Sequence, residues 1–138
     1  MHRLSLQDIA VTGRRGVGNT MLPQIPSDMD RRVQIVIKFM EVYLDRPLSL
    51  NDLARSVNLS PWRLSHIFKS ETRTPPLQYL RTLRMQQAKV LLETTFLSVK
   101  EIMTEVGVRD GSHFVRDFKT TYGLSPTRYR QSFFRIFQ

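Results

Sequence analysis

The chain has 138 residues, enough for one domain or two very small ones. Lys plus Arg number 21 against 12 Asp plus Glu, a net charge of +9, and such a surplus suits a polyanionic partner: nucleic acid, an anionic membrane surface or an acidic protein. There is no cysteine, which excludes disulfides, thiolate metal sites and cysteine nucleophiles; no run approaches the roughly 18 apolar residues of a membrane helix and no signal peptide opens the chain, so a cytoplasmic protein is expected.

Residues 1–26 hold G-R-R-G-V-G-N-T and P-Q-I-P, which break any period. They read as a flexible arm or linker, with a frayed helix over Leu4 to Val11. The glycines around Arg14 and Arg15 make only a weak phosphate-loop signal, since no strand precedes them and no Lys-Ser/Thr follows. From Ser27 onward, helix starts recur. Ser27 with Asp30 has capping-box spacing ahead of Val33, Ile37, Met40 and Leu44, which share one helical face, and Pro47 is expected to end that helix. Ser49 with Asp52 opens a second helix, and Ser60-Pro61 a third. Thr74-Pro75-Pro76 stops the third and starts a long fourth, running to about Thr94. Ser98 with Glu101 opens a fifth that Gly107 closes. Asp110 caps a sixth, ended by Gly123, and Ser125-Pro126 opens a seventh. No window alternates as a strand, so the fold class is all-α.

The chain repeats itself. L-S-L-N-D-L-A-R-S-V-N-L-S from Leu48 aligns with L-S-V-K-E-I-M-T-E-V-G-V from Leu97 at an offset of 49. After one extra residue near Arg109, P-W-R-L-S-H-I-F-K aligns with G-S-H-F-V-R-D-F-K at an offset of 50. One supersecondary unit is therefore present twice, over about 49–72 and 98–122, joined by a linker helix over about 76–94. Each unit is a capped helix, a short turn and a second capped helix. In the first, Leu53, Ala54 and Val57 face Leu64, Ile67 and Phe68, which is the helix-turn-helix pattern. Two short helices bury too little alone, so helix one and the long fourth helix are expected to support them.

At 100° per residue, Leu64, Ile67 and Phe68 gather on one side of the third helix. Trp62, the only tryptophan, falls opposite with His66 and Lys69, flanked by Ser65 and Arg63. In the sixth helix Phe114 and Phe118 turn inward, and Ser112, Arg116 and Lys119 turn outward, flanked by His113 and Val115. The matched outward pairs Trp62/Ser112, His66/Arg116 and Lys69/Lys119 contain no acid. Such faces suit a major groove, where Arg reads guanine, His and Ser bond base edges and Val115 meets a thymine methyl. The plainer alternatives are a Trp62 packed on the preceding helix and an Arg116 that is ordinary solvated charge. His66 and His113 have no carboxylate at ligand spacing, so neither a metal nor any other cofactor is expected. Ser65 and His66 point about 100° apart and cannot form a nucleophile and base, so an enzyme is not expected.

These residues resemble the C-terminal DNA-binding domain of the AraC/XylS family of bacterial transcription regulators, over roughly Asp30 to Arg130. The most specific part is I-M-T-E-V-G-V-R-D-G-S-H-F-V-R-D-F-K-T-T-Y-G-L-S-P-T-R-Y-R, Ile102 to Arg130. The resemblance implies a bilobal seven-helix domain with two helix-turn-helix units joined by a long central helix. It implies base or groove contacts from Trp62, Ser65 and His66 and from Gly111, Ser112, His113 and Arg116. Phosphate contacts are implied from backbone amides at helix starts and from Arg63, Lys69 and Lys119. Val108 stands where the family usually has Phe, Met103 where Ala is usual, and His66 where a longer donor is often found. Arg73 stands where a Gly commonly ends the third helix, so either Arg73 adopts positive φ or the turn differs.

The implied function is that of a sequence-specific transcription regulator, expected as an activator although the residues themselves leave activation or repression open, with double-stranded DNA and RNA polymerase as partners, and no membrane. Most members carry a separate N-terminal effector-binding or dimerising domain, which this sequence does not supply; the chain is either a short stand-alone member or a fragment with the arm as linker. The alternative is an α-helical adaptor whose basic face docks an acidic protein. A third option, membrane-surface binding through Phe133 to Phe137, competes with packing of that cluster on the second unit or on a partner domain.

Overall fold

The computed structural model describes residues 25–136. The expected arm, with its frayed helix and glycine-arginine stretch, lies outside the described residues except for Ile25 and Pro26. Among the described residues there are seven α-helices and no strand: α1 Arg31–Val42, α2 Leu50–Arg55, α3 Pro61–Thr72, α4 Pro76–Thr94, α5 Val99–Glu105, α6 Gly111–Tyr122 and α7 Pro126–Arg135.

Local chemistry sets most boundaries. Ser49 and Asp52 form a reciprocal capping box at α2, and Ser98 and Glu101 form its counterpart at α5. Ser60, Asp110 and Ser125 each accept a backbone N–H three residues on, satisfying an otherwise orphan donor of α3, α6 and α7. The first helix differs from its sequence expectation at both ends. Its cap is Asp30 rather than Ser27, because the Asp30 carboxylate accepts the Arg32 N–H at 2.8 Å and is clasped by the Arg32 guanidinium at 2.9 Å. That guanidinium holds the Asp30 carboxyl below its usual range. The helix ends at Val42, not at Pro47. Tyr43 and Leu44 leave the helical path and turn into the core, where they are buried.

Two hydrophobic cores divide the molecule into lobes. The first gathers Val33, Ile37, Phe39 and Met40 of α1 with Leu53, Ala54, Leu64 and Phe68. The second gathers Ile102, Val106, Phe114 and Phe118. Both draw on α4: Leu80 and Leu83 complete the first, and Met85, Ala88, Leu91 and Leu92 complete the second. The helix thus changes partners between Leu83 and Met85. Ala54, only 1% exposed, lets α2 cross close to α3. Fully burying each such Leu or Phe is worth about 1.5–3 kcal/mol.

The last helix clasps the second lobe. The Tyr129 hydroxyl donates to Glu93 of α4, and Arg130 donates to the carbonyls of Leu92 at 3.1 Å, Leu97 at 2.6 Å and Thr95 at 3.1 Å. Arg130 thereby supplies donors for the C-terminal end of α4 and for the loop that follows. Phe133 stacks on Tyr129 and is half-buried against the second lobe, whereas Phe134 lies beside Phe96, which is 97% exposed, and Ile136 is exposed too. Phe137 lies outside the described residues. Replacing Arg130 with Met should lower unfolding free energy by roughly 1.5–3 kcal/mol, read by urea denaturation; an unchanged midpoint would show that water serves those carbonyls equally well.

Candidate nucleic-acid interface

The helix-turn-helix arrangement fixes what α3 and α6 can present. Each is held by two buried side chains on one edge, Leu64 with Phe68 and Phe114 with Phe118, all 0% exposed. The opposite edge is left to solvent. Trp62 is 70% exposed, which settles against its packing on α2. Arg63, His66 and Lys69 are exposed and Ser65 is half-buried. On α6, Gly111, Ser112, His113, Arg116 and Lys119 are all exposed, and Val115 is 40% exposed. All ten residues singled out in the sequence therefore lie on the two helices, and nine are open to solvent.

The two faces are built differently. On α3 the Trp62 and His66 rings stack, with centroids 4.7 Å apart and planes at 22°. This places two flat rings, one turn apart, as a single plate on the helix surface. On α6 the character is polar. Asp110, although outside the six matched positions, reaches this edge: one carboxylate oxygen accepts the His113 N–H at 3.0 Å and the other lies 3.3 Å from the His113 ring nitrogen. The backbone hydrogen bond from His113 holds the Asp110 carboxyl below its usual range. The cap thus adds a negative charge beside the face and, contrary to the sequence expectation, puts a carboxylate within reach of the His113 ring; among the described residues no third ligand joins them. Gly111 begins α6, so its amide is one of the unpaired donors of a helix start. A Cβ there would only touch the Met103 methyl at 3.8 Å.

Folding also assembles cations that helix winding could not bring together. A cleft of about 1040 Å³ lies between the lobes, lined by Arg46, Arg81, Arg84, Arg109, His113 and Arg116, with Asp52, Asp110 and Asp117 among them. Arg46 and Arg109 occur in turns and Arg81 on α4, so no local period groups them with α6; the only sequence signal was the basic surplus. Arg46 also lies over the Tyr43 ring at 4.9 Å.

A helix-turn-helix domain model matches residues 53–132, more than half of the chain. The chain belongs to the AraC family. The arabinose operon regulatory protein of Escherichia coli strain K12 is 35% identical over 103 residues, covering 74% of this chain and 35% of that protein. The C-terminal domain of AraT, a response regulator from Geobacillus stearothermophilus, superposes with a TM-score of 0.73 at 30% identity, covering 77% of this chain and 88% of that one. The DNA-binding domain of AdpA, solved in complex with a target DNA, superposes with a TM-score of 0.71 at 30% identity over 74% of this chain and 92% of that one. The chain spans about a third of the length of the curated relatives it matches.

This AraC-family domain resolves the departures noted in its sequence. Arg73 does adopt left-handed backbone, with φ 61°, at the end of α3, matching Gly123 with φ 84° at the end of α6. Met103 and Val108 are both half-buried against the second core. Trp62 offers a direct probe of its helix. On binding a duplex its emission should shift to the blue and lose quenching by acrylamide; unaltered emission on saturating DNA would remove Trp62 from the interface.

Proposed function

We propose that this chain reads duplex DNA sequence-specifically, as the DNA-binding part of a transcription regulator, by setting α3 and α6 into two adjacent major-groove segments. The observation that carries this is the matched pair of exposed helix edges, each backed by two fully buried residues and both mounted on α4. Trp62, Ser65 and His66 meet base edges or groove walls in one segment, and Ser112, His113 and Arg116 do so in the other, with the Gly111 amide at the helix start. Arg63, Lys69 and Lys119 sit toward the phosphates and supply affinity without sequence information. The 19 residues of α4 span about 28 Å, close to the roughly 34 Å between successive major-groove faces on one side of DNA. One chain can then read an asymmetric site without a palindrome.

The AdpA domain's capture on its target DNA supports the same placement here, and the operon-regulator names of the longer relatives support transcriptional control as the output. Cytoplasmic DNA, contact with RNA polymerase and cooperation with an effector-binding or dimerising domain belong to that proposal. No described helix is long and apolar enough to cross a membrane.

Selection from random duplexes should return two conserved half-sites about one turn apart; recovery of no motif would favour the adaptor instead. Arg116→Ala should cost about 1–3 kcal/mol on the selected site and relax base choice at one position. An equal loss on random DNA would reduce Arg116 to a phosphate contact. Lys119→Ala should weaken all duplexes alike and lower the slope of log affinity against log salt by about one; an unchanged slope would take Lys119 out of the phosphate set.

A further inference from the structure

Three segments meet where the lobes join. Arg84, at the point where α4 passes from one core to the other, donates from Nε to the Leu44 carbonyl at 3.3 Å and from Nη2 to the Arg46 carbonyl at 2.7 Å. Both carbonyls belong to the turn after α1, in the first lobe. From the second lobe, Gly107 in the turn between α5 and α6 presses against the same segment. A Cβ on Gly107 would overlap the Leu44 carbonyl oxygen and lie 3.1 Å from the Asp45 carbonyl carbon and 3.2 Å from Arg84 Nη2. The first-lobe turn is thus held between an arginine fork and a bare stretch of second-lobe backbone.

The internal repeat shows why this contact is special. Asn58 occupies the position matching Gly107, and it too has left-handed backbone, φ 55° against 77°. The turn therefore needs positive φ in both units but tolerates a side chain in the first. Gly107 is required for an additional reason, the approach of Leu44. Gly123 makes the contrast clear: it also has positive φ, yet a Cβ there would meet nothing within 4 Å. Neither Arg84 nor Gly107 belongs to either hydrophobic core. Loosening their joint therefore leaves each lobe's interior in place and frees only the setting of one lobe against the other.

We infer that the joint of Arg84, Gly107 and the Leu44–Arg46 turn sets the rotation and separation of the two reading helices, and so makes the protein selective for the spacing between its half-sites. The inference rests on the two-segment reading proposed above. Arg84 and Gly107 are positioning residues: neither touches DNA in this account. Adding one base pair between half-sites moves the second by about 3.4 Å and rotates it by about 35°. A held pair of lobes cannot follow both changes without straining the joint.

The test uses the site obtained by selection, with one base pair inserted or deleted between its halves, and compares the full chain with Arg84→Met and Gly107→Ala. The full chain should lose about tenfold or more in affinity on either altered spacer. Both variants should lose less than about threefold while keeping the full chain's affinity for each half-site alone. Arg84→Lys, which restores one donor, should fall between. Arg84→Met keeps the aliphatic stem, so the proposal stays testable if Gly107→Ala does not fold. Variants that remain as strict as the full chain, or a full chain indifferent to spacing, would overturn the joint's role. Recovery of a single half-site in the selection would instead overturn the two-segment reading beneath it.

Discussion

A single helix is shared by two interiors, and almost everything else in the molecule follows from that sharing. Each helix-turn-helix pair is completed from outside: α4 lends Leu80 and Leu83 to the first, which α1 also backs, and Met85, Ala88, Leu91 and Leu92 to the second. Removing either half of α4 would expose a core, so each lobe stabilises the rod that holds its partner. The price is sequence freedom along α4, where eight of the 19 residues are buried. The helices α3 and α6 gain from this because their inner edges are fixed by Leu64 with Phe68 and by Phe114 with Phe118, which leaves the outer edges free to carry any chemistry. That separation of duties permits one unit to present a stacked tryptophan and histidine while its repeat presents serine and arginine.

The repeat also separates constraints of folding from constraints of assembly. Left-handed backbone recurs at the matched turn positions Asn58 and Gly107 and at the matched helix ends Arg73 and Gly123. Geometry is retained where residue identity is not: Asn enters that region readily, and Arg73 does so at a steric cost of roughly 1–2 kcal/mol. Where another segment comes within contact, as at Gly107, no side chain fits.

Much of this was legible in the sequence because it is local. Caps and capping boxes act over three residues, so five of the seven helix starts could be read from Ser or Asp at the right spacing, and α4 from its paired prolines. The repeat then located both exposed helix edges. The first helix was misread at its start, since Ser27 and Asp30 are both competent caps and only the clasp of Arg32 on Asp30 decides between them. Its end was misread because Tyr43 and Leu44 leave the helix to fill the core, a tertiary preference that Pro47 does not report. The arginine contacts were invisible for a different reason: Arg84 and Arg130 bond backbone carbonyls 33 to 40 residues away, and carbonyls carry no sequence signature.

The central claim is that α4, its two cores and the joint of Arg84 and Gly107 together behave as one rigid body carrying α3 and α6. Because the chain has no cysteine, spin labels can be placed uniquely at Ser70→Cys on α3 and Thr120→Cys on α6, both exposed. Pulsed electron-spin distance measurement should give one narrow distribution in the free protein, unchanged on the bound duplex. A broad distribution in the free protein, or one that moves when DNA is added, would contradict the account.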